Sequence, residues 1–219
     1  MIPLQFALRR RMMMAGGGGA PISDLPLGTL IRIADSDGGE GAANYEIADI
    51  NNFVSGGVVL VRKNIYSQSA FGSNATYPNG TLDNLIKTTI YNKMPQQLRD
   101  KMMDVSFTLY GSKDITRKMF ALTYTMVGYG ANNGTTEGKA LQRYDRNANR
   151  IKKYSGSARR WWLSSRLDTS FSRSVDTDGT ISNVVSSGGS YGVVPAFVIP
   201  SKTPYDPTPN TDGSYNLIL

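Results

Sequence analysis

The sequence predicts an α+β domain, and three observations carry that reading. "LGTLIRIAD" (Leu27–Asp35) sets Leu30, Arg32 and Ala34 against Ile31 and Ile33, the two-residue period of a strand. Val58 to Val61 is a short apolar, mostly β-branched run of the kind a buried strand uses. "TLDNLIKTTIYNKMPQQLRDKMMDV" brings Leu82, Leu85, Ile86 and Ile90 to one side of a helix. A chain of 219 residues is one full-sized domain with or without appendages. At that length it buries roughly 70% of the surface its unfolded form exposes and needs no metal or disulfide to hold it.

The elements follow in chain order, in three expected parts: an arm and Gly linker over 1–20, a body over 21–200 and a tail over 201–219. In the arm, Pro3 suits a first helical turn, and Leu4, Leu8 and Met12 recur every fourth residue. Phe6 and the triplet Arg9, Arg10 and Arg11 complete its apolar-plus-basic character. So short a helix is marginal alone. Gly16 to Gly19 form a tether without conformational preference. A disordered tail and an extended or helical docking arm that orders on a partner both fit.

After the first strand, "SDGGEGA" is a loop. "NYEIADINNF" and "GGVVLVRKNIY" are the next strands. Thr81 or Asp83 is expected to cap the first helix, and Pro95 to open a second, with Leu98, Met102 and Met103 facing inward. "VSFTLYG" and "KMFALTYTMVGYG" read as strands and "GANNGTTEG" as a loop. "TISNVV", the turn "SSGGS" and "YGVVPAFVIP" return to β structure. The first strand is expected to pair with the strand near "VVPAFVI", so that the ends of the domain meet. Pro204, Pro207 and Pro209 exclude a helix or a central strand over most of the tail. That leaves an extended strip over the body, with "NLIL" as its anchor.

Composition narrows the chemistry. There is no cysteine, hence no disulfide, thiolate metal site or thiol nucleophile. There is no histidine, which removes the commonest acid–base group, the Ser-His-Asp triad and His-based zinc sites. The expectation is a protein that is not an enzyme and uses no cofactor and no metal. No apolar run approaches the ~20 residues of a membrane span. The N-terminal arginines follow the apolar stretch where a signal peptide would have them precede it, so no membrane insertion is expected.

The formal charge of +7 is concentrated. Arg9 to Arg11 give +3, and residues 137–160 hold eight Lys/Arg against Glu137 and Asp145, so the remainder is slightly acidic. Local anionic partners follow from this, not a uniform nucleic-acid coat. "KALQRYDRNANRIKKYSGSARR" interleaves Tyr144 and Tyr154 with cations, the raw material of phosphate neutralisation and base stacking. No nucleic-acid-binding motif frames it, and a solvated basic face or a contact with an acidic partner or anionic polymer fits better. Asp35, Asp37 and Glu40 in a Gly-rich loop have oxygen ligands for a hard cation, but Asp-Gly is ordinary turn chemistry. "DRNANR" has the alternation of a calcium loop without its Gly and Glu, and "DTDG" is a hairpin turn.

The chain's two tryptophans, Trp161 and Trp162, are adjacent. "KMFALTYTMVGYG", "RYDRNANRIKK", "WWLSSR", "VDTDGTI" and "YGVVPAFVI" occur in this order. Together they resemble an uncharacterised domain family of bacterial and phage proteins with a C-type-lectin-like fold. That family shows Trp-Trp-Leu-Arg-Ser, a Val-x-x-x-Gly hairpin and Gly-Val-Arg-Pro-Ala. More distantly, the chain is similar to formylglycine-generating-enzyme-like proteins and to variable proteins of diversity-generating retroelements. The resemblance spans about Leu25 to Ile199 and is strongest from Lys118 onward. Val194 stands where the family has an arginine. Formylglycine-type chemistry is not implied, since its thiols are absent.

The resemblance implies a C-type-lectin-like body with Trp161, Trp162, Phe120 and Phe197 in its core. The residues after the Trp strand become an exposed recognition patch: Arg166, Asp168, Thr169, Ser170, Phe171, Ser172 and Arg173, with Ser165 at its edge. An ordinary solvated loop is the competing reading. The first expectation for function is a phage virion structural protein: a capsid decoration, head fibre, or tail or receptor-binding component. Leu4, Phe6, Leu8, Arg9, Arg10, Arg11 and Met12 would anchor it to other virion subunits after assembly in the host cytoplasm. A homo-oligomer and a host surface glycan as partner belong to that expectation, and nucleic acid does not. The alternative is a free carbohydrate- or cell-wall-binding module that takes an anionic glycopolymer through Arg166, Arg173 and Phe171.

Overall fold

The computed structural model describes residues 19–34, 42–112, 114–185 and 189–219. The anchoring positions Leu4 to Met12 and the acidic loop residues Asp35, Asp37 and Glu40 lie outside them. The fold is mixed α+β, mostly strands in several sheets. In chain order the strands of the first half are β1 (Ala20–Pro21), β2 (Leu30–Ile33), β3 (Ala43–Ile50), β4 (Gly57–Arg62) and β5 (Gln68–Ser69). Then come β6 (Val105–Phe107), β7 (Ile115–Arg117), β8 (Met119–Ala121), β9 (Lys153–Tyr154) and β10 (Ser157–Ala158). The last are β11 (Trp161–Arg166), β12 (Phe171–Val175), β13 (Ile181–Val185), β14 (Tyr191–Gly192), β15 (Pro195–Pro200), β16 (Pro204–Tyr205) and β17 (Tyr215–Asn216).

The larger sheet has the order β17-β2-β3-β4-β15-β8. Its middle strands β4 and β15 are covered on both faces. That is why "GVVLVR" and "PAFVI" are nearly continuous apolar runs without alternation. The second sheet has the order β13-β12-β11-β14-β5. One contiguous core joins Ile47, Leu60 and Phe197 of the larger sheet to Trp161, Trp162 and Leu163 of the second.

Residues 81–93 form a 13-residue helix whose middle, Leu85–Ile90, is wound wider with i→i+5 bonding. Leu82, Ile86 and Ile90 are its fully buried apolar positions. Neither Thr81 nor Asp83 caps it. The capping position is Gly80, and Asp83 lies within the first turn, buried, with a two-pronged ion pair to Arg117 (Nε 2.9 Å, Nη2 2.6 Å). Pro95 precedes the second helix, Gln96–Lys101, which buries Leu98.

Two expectations change. β2 does not pair with β15, because β3 and β4 stand between them. Antiparallel neighbours joined by short connections pair first, which makes β2-β3-β4 a meander and leaves β15 to add to its far edge. The ends of the body still meet, through β1 and β16: Ala20 pairs with Tyr205 and Pro21 with Pro204. The second change concerns "KMFALTYTMVGYG", which stops being a strand after Ala121. The Thr123 and Thr125 hydroxyls bond to the Glu137 and Gly130 carbonyls and accept the Met126 and Glu137 N–H groups. Side chains that bond the backbone locally displace the ladder.

The tail lies over the body as an extended strip. β17 runs parallel to β2, and Tyr205 packs edge-on to Tyr215 with ring centres 5.4 Å apart. The anchors are these tyrosines and Leu217, which packs on the core, while Ile218 and Leu219 are exposed.

Candidate functional site

Successive side chains of a strand point to opposite faces, and both faces of β11 are covered: Trp161 and Trp162 are each 0% exposed. The Trp161 indole N–H donates to the Arg150 carbonyl (2.9 Å) and the Trp162 N–H to the Ser69 carbonyl (2.8 Å). Phe71 and Tyr191 meet the Trp162 ring edge-on. Phe120 and Phe197 are also fully buried.

The patch that follows divides in two. Asp168, Thr169, Ser170 and Phe171 are exposed at the β11–β12 turn, where the Asp168 carboxylate accepts the Ser170 and Phe171 N–H groups. Ser172 is not on the surface: it is buried, because it alternates with exposed Phe171 along β12. Arg166 donates to the Tyr110 and Gly111 carbonyls. Arg173 lies over the Tyr124 ring and donates to Asn132 and Asn183. Both guanidinium groups therefore tie the turn to neighbouring loops.

Beneath this turn lies Glu137, a carboxylate with no exposed surface. It accepts from the Ser165 hydroxyl, the Tyr110 N–H (2.9 Å) and the Asn132 amide (3.1 Å). Burial pushes its carboxyl above the usual range, and these donors only partly offset that. Ser165 thus supplies a hydroxyl to a buried acid.

A second buried acid organises the other side of the molecule. Glu46 on β3 receives the Lys152 ammonium (2.5 Å) and the Tyr144 hydroxyl (3.0 Å), all three without exposed surface to speak of. Lys63 and Arg143 approach the same carboxylate at 3.5 and 3.8 Å. Burial acts to raise the Glu46 carboxyl, but Lys152 and then Lys63 outweigh it and hold it below the usual range. Tyr144, one of the two tyrosines within the basic stretch, is therefore a core residue and no stacking platform.

The other, Tyr154, is exposed. β9 and β10 form a hairpin in which Tyr154 pairs with Ser157 around a two-residue loop. Ser155 (φ 50°) and Gly156 (φ 82°) both take the left-handed conformation that such a tight turn requires. The hairpin root is fixed to the body by Ile65 N–H on the Lys153 carbonyl (2.9 Å) and Arg159 N–H on the Lys152 carbonyl (3.0 Å). Beside it opens a cavity of about 530 Å³, walled by Arg32, Arg62, Lys63, Tyr66, Lys153, Tyr154 and Asp212. Asp212 comes from the tail, where the Asn44 amide and the Ser214 hydroxyl and N–H hold its carboxyl below the usual range.

A strand-rich α+β domain with an open, basic, tyrosine-flanked cavity is suited to holding an anionic group. The chain belongs to the family of the domain of unknown function DUF6273, whose model matches residues 55–201. No curated protein and no solved structure matches it. The matched segment includes β4 to β15, with Glu137, Lys153 and Tyr154, whereas Arg32, Glu46 and Asp212 lie outside it. Among the described residues, no helix is long and apolar enough to cross a membrane.

Proposed function

We propose that this chain is a binding module displayed on a phage particle, held there by residues 1–20 and presenting a C-type-lectin-like body. The observation that supports display is the way the start of the body is stapled. Beyond the β1–β16 pairing, Ile22 N–H donates to the Thr203 carbonyl (2.8 Å) and Ser23 N–H to the Ser201 carbonyl (3.2 Å). At Gly19 an added Cβ would stand 2.3 Å from the Tyr205 carbonyl oxygen, so chain and tail are in tight contact there. A root of this kind fixes the point on the body from which a docking segment and its glycine tether depart. The meeting of the two ends and the strand carrying the Trp pair in a smaller second sheet support the lectin-like reading.

Deleting residues 1–15 tests the proposal. Display predicts that the truncated protein folds but no longer co-sediments with particles, and undiminished incorporation would refute it. The alternative, a free module for an anionic glycopolymer through Arg166, Arg173 and Phe171, predicts glycan-array binding that Arg166→Ala/Arg173→Ala abolishes.

A further inference from the structure

We propose that the cavity beside the β9–β10 hairpin is a binding site for an anionic sugar, a saccharide ring that carries a phosphate or carboxylate. It lies apart from the Arg166–Arg173 turn and does not depend on the particle reading, since a free module would keep it.

The first argument is charge. Among the described residues, the exposed cations Arg32, Lys63 and Lys153 line the walls against one carboxylate, Asp212. Behind them, Lys152, Lys63 and Arg143 converge on the single carboxylate of Glu46. Lys152 is the closest of these, so Glu46 is already neutralised before Lys63 is counted. The Arg32–Asp212 pair is long, 3.9 Å, and about half exposed on both sides, a geometry that contributes little. The ammonium of exposed Lys153 has no hydrogen-bond or ion-pair partner among the described residues. A concave wall with surplus positive charge concentrates anions.

The second argument is shape and the character of the wall. About 530 Å³ is within the range of small-molecule sites. The Tyr66 ring is overlaid by Arg62 and Lys93, which fixes one wall. Tyr154 is more than a third exposed and lines the cavity from the two-residue hairpin. An amphipathic aromatic with a free face packs on the C–H face of a sugar while its hydroxyl stays wet. The cations of the wall then meet the anionic substituent. Simple inorganic anions would use the charge and leave Tyr154 idle.

The experiment is calorimetric titration of the full chain with glucose 6-phosphate, glucuronate, glucose and inorganic phosphate. The two charged sugars are expected to bind, glucose not, and inorganic phosphate more weakly than glucose 6-phosphate. Tighter binding of one charged sugar identifies the anion as phosphate or carboxylate. Arg32→Ala/Lys153→Ala, both exposed positions, should weaken the charged sugars at least tenfold. Tyr154→Ala should weaken them severalfold and leave inorganic phosphate unchanged, whereas Arg166→Ala/Arg173→Ala should leave all four titrations as they are. Absence of any binding by the charged sugars, or equal binding by Arg32→Ala/Lys153→Ala, overturns the site. Equal affinity for inorganic phosphate and glucose 6-phosphate overturns its assignment to sugars.

Discussion

The ammonium of Lys152 and the carboxylate of Glu46 meet 2.5 Å apart inside the protein, though 106 residues separate them in the chain. Removing one partner of a buried pair leaves the other charged without compensation, which costs about 3–5 kcal/mol. Glu46→Gln should therefore destabilise strongly in urea unfolding. Glu46→Gln/Lys152→Met should recover most of the loss, since the amide still accepts the Tyr144 hydroxyl and no ammonium is left buried. Because Glu46 titrates below the usual range, its contribution is complete above the ordinary carboxylate pKa and is lost as the pH falls through its depressed value. The difference between wild type and Glu46→Gln should shrink on acidification.

Glu137 predicts the opposite slope. Its folded carboxyl titrates above the usual range, so the folded state binds its proton more tightly than the unfolded state does. The favourable contribution is present below the unfolded pKa and disappears as the pH rises to the folded value. Glu137→Gln keeps an acceptor for Tyr110 and Asn132 and removes this titration. The melting temperature of wild type relative to Glu137→Gln should rise as the pH drops from 7 toward 4. A flat difference would refute the assignment.

The Trp pair offers a spectroscopic check. With both indoles buried, emission should be blue-shifted from that of free tryptophan and move red in a single unfolding transition. Trp162→Ala should cost about 3–5 kcal/mol, as large-to-small changes of core aromatics do. Trp162→Phe should cost about 1–3 kcal/mol, much of it from the Ser69 carbonyl left without its donor.

Gly111 and Arg166 should behave as one unit. Gly111 has φ 66°, and a Cβ added there would stand 1.9 Å from Arg166 Nη2. Gly111→Ala should destabilise by about 1–3 kcal/mol through backbone strain and displacement of the guanidinium. Combined with Arg166→Ala it should cost less than the two single changes together, since the displaced group is then gone. Additive losses in a double-mutant cycle would show that the contact carries no energy.

Much of the fold was legible in the sequence because period and composition decide it: the β4 run, the helix over 81–93 and the hairpin at Asp176–Gly179. What periodicity could not show was pairing order, which set β3 and β4 between β2 and β15. Nor could it show the Thr123–Thr125 turn, where hydroxyls replaced a strand that the apolar pattern allowed. The patch after the Trp pair was legible only as a turn. Nothing local distinguishes exposed Phe171 from buried Ser172 except strand alternation, nor marks Arg166 and Arg173 as braces. In "KKYSG", Lys152 and Lys153 look equivalent, yet one is core and the other faces solvent. Alternation beside a Ser-Gly turn was the signal that could have separated them. Arg32 and Asp212 carried no signal, because the tail brings them together only in three dimensions.

Gly19 also approaches the end of the chain: a Cβ added there would stand 2.6 Å from the Ile218 Cδ1. With Gly19 and Ile218 side by side, a linker of a few residues would join the two ends of the described chain into a ring, and the chain could then be reopened at the Ser155–Gly156 loop. Such a circular permutant should fold to the same sheets, which would show that the architecture depends on which strands are neighbours and not on where translation starts.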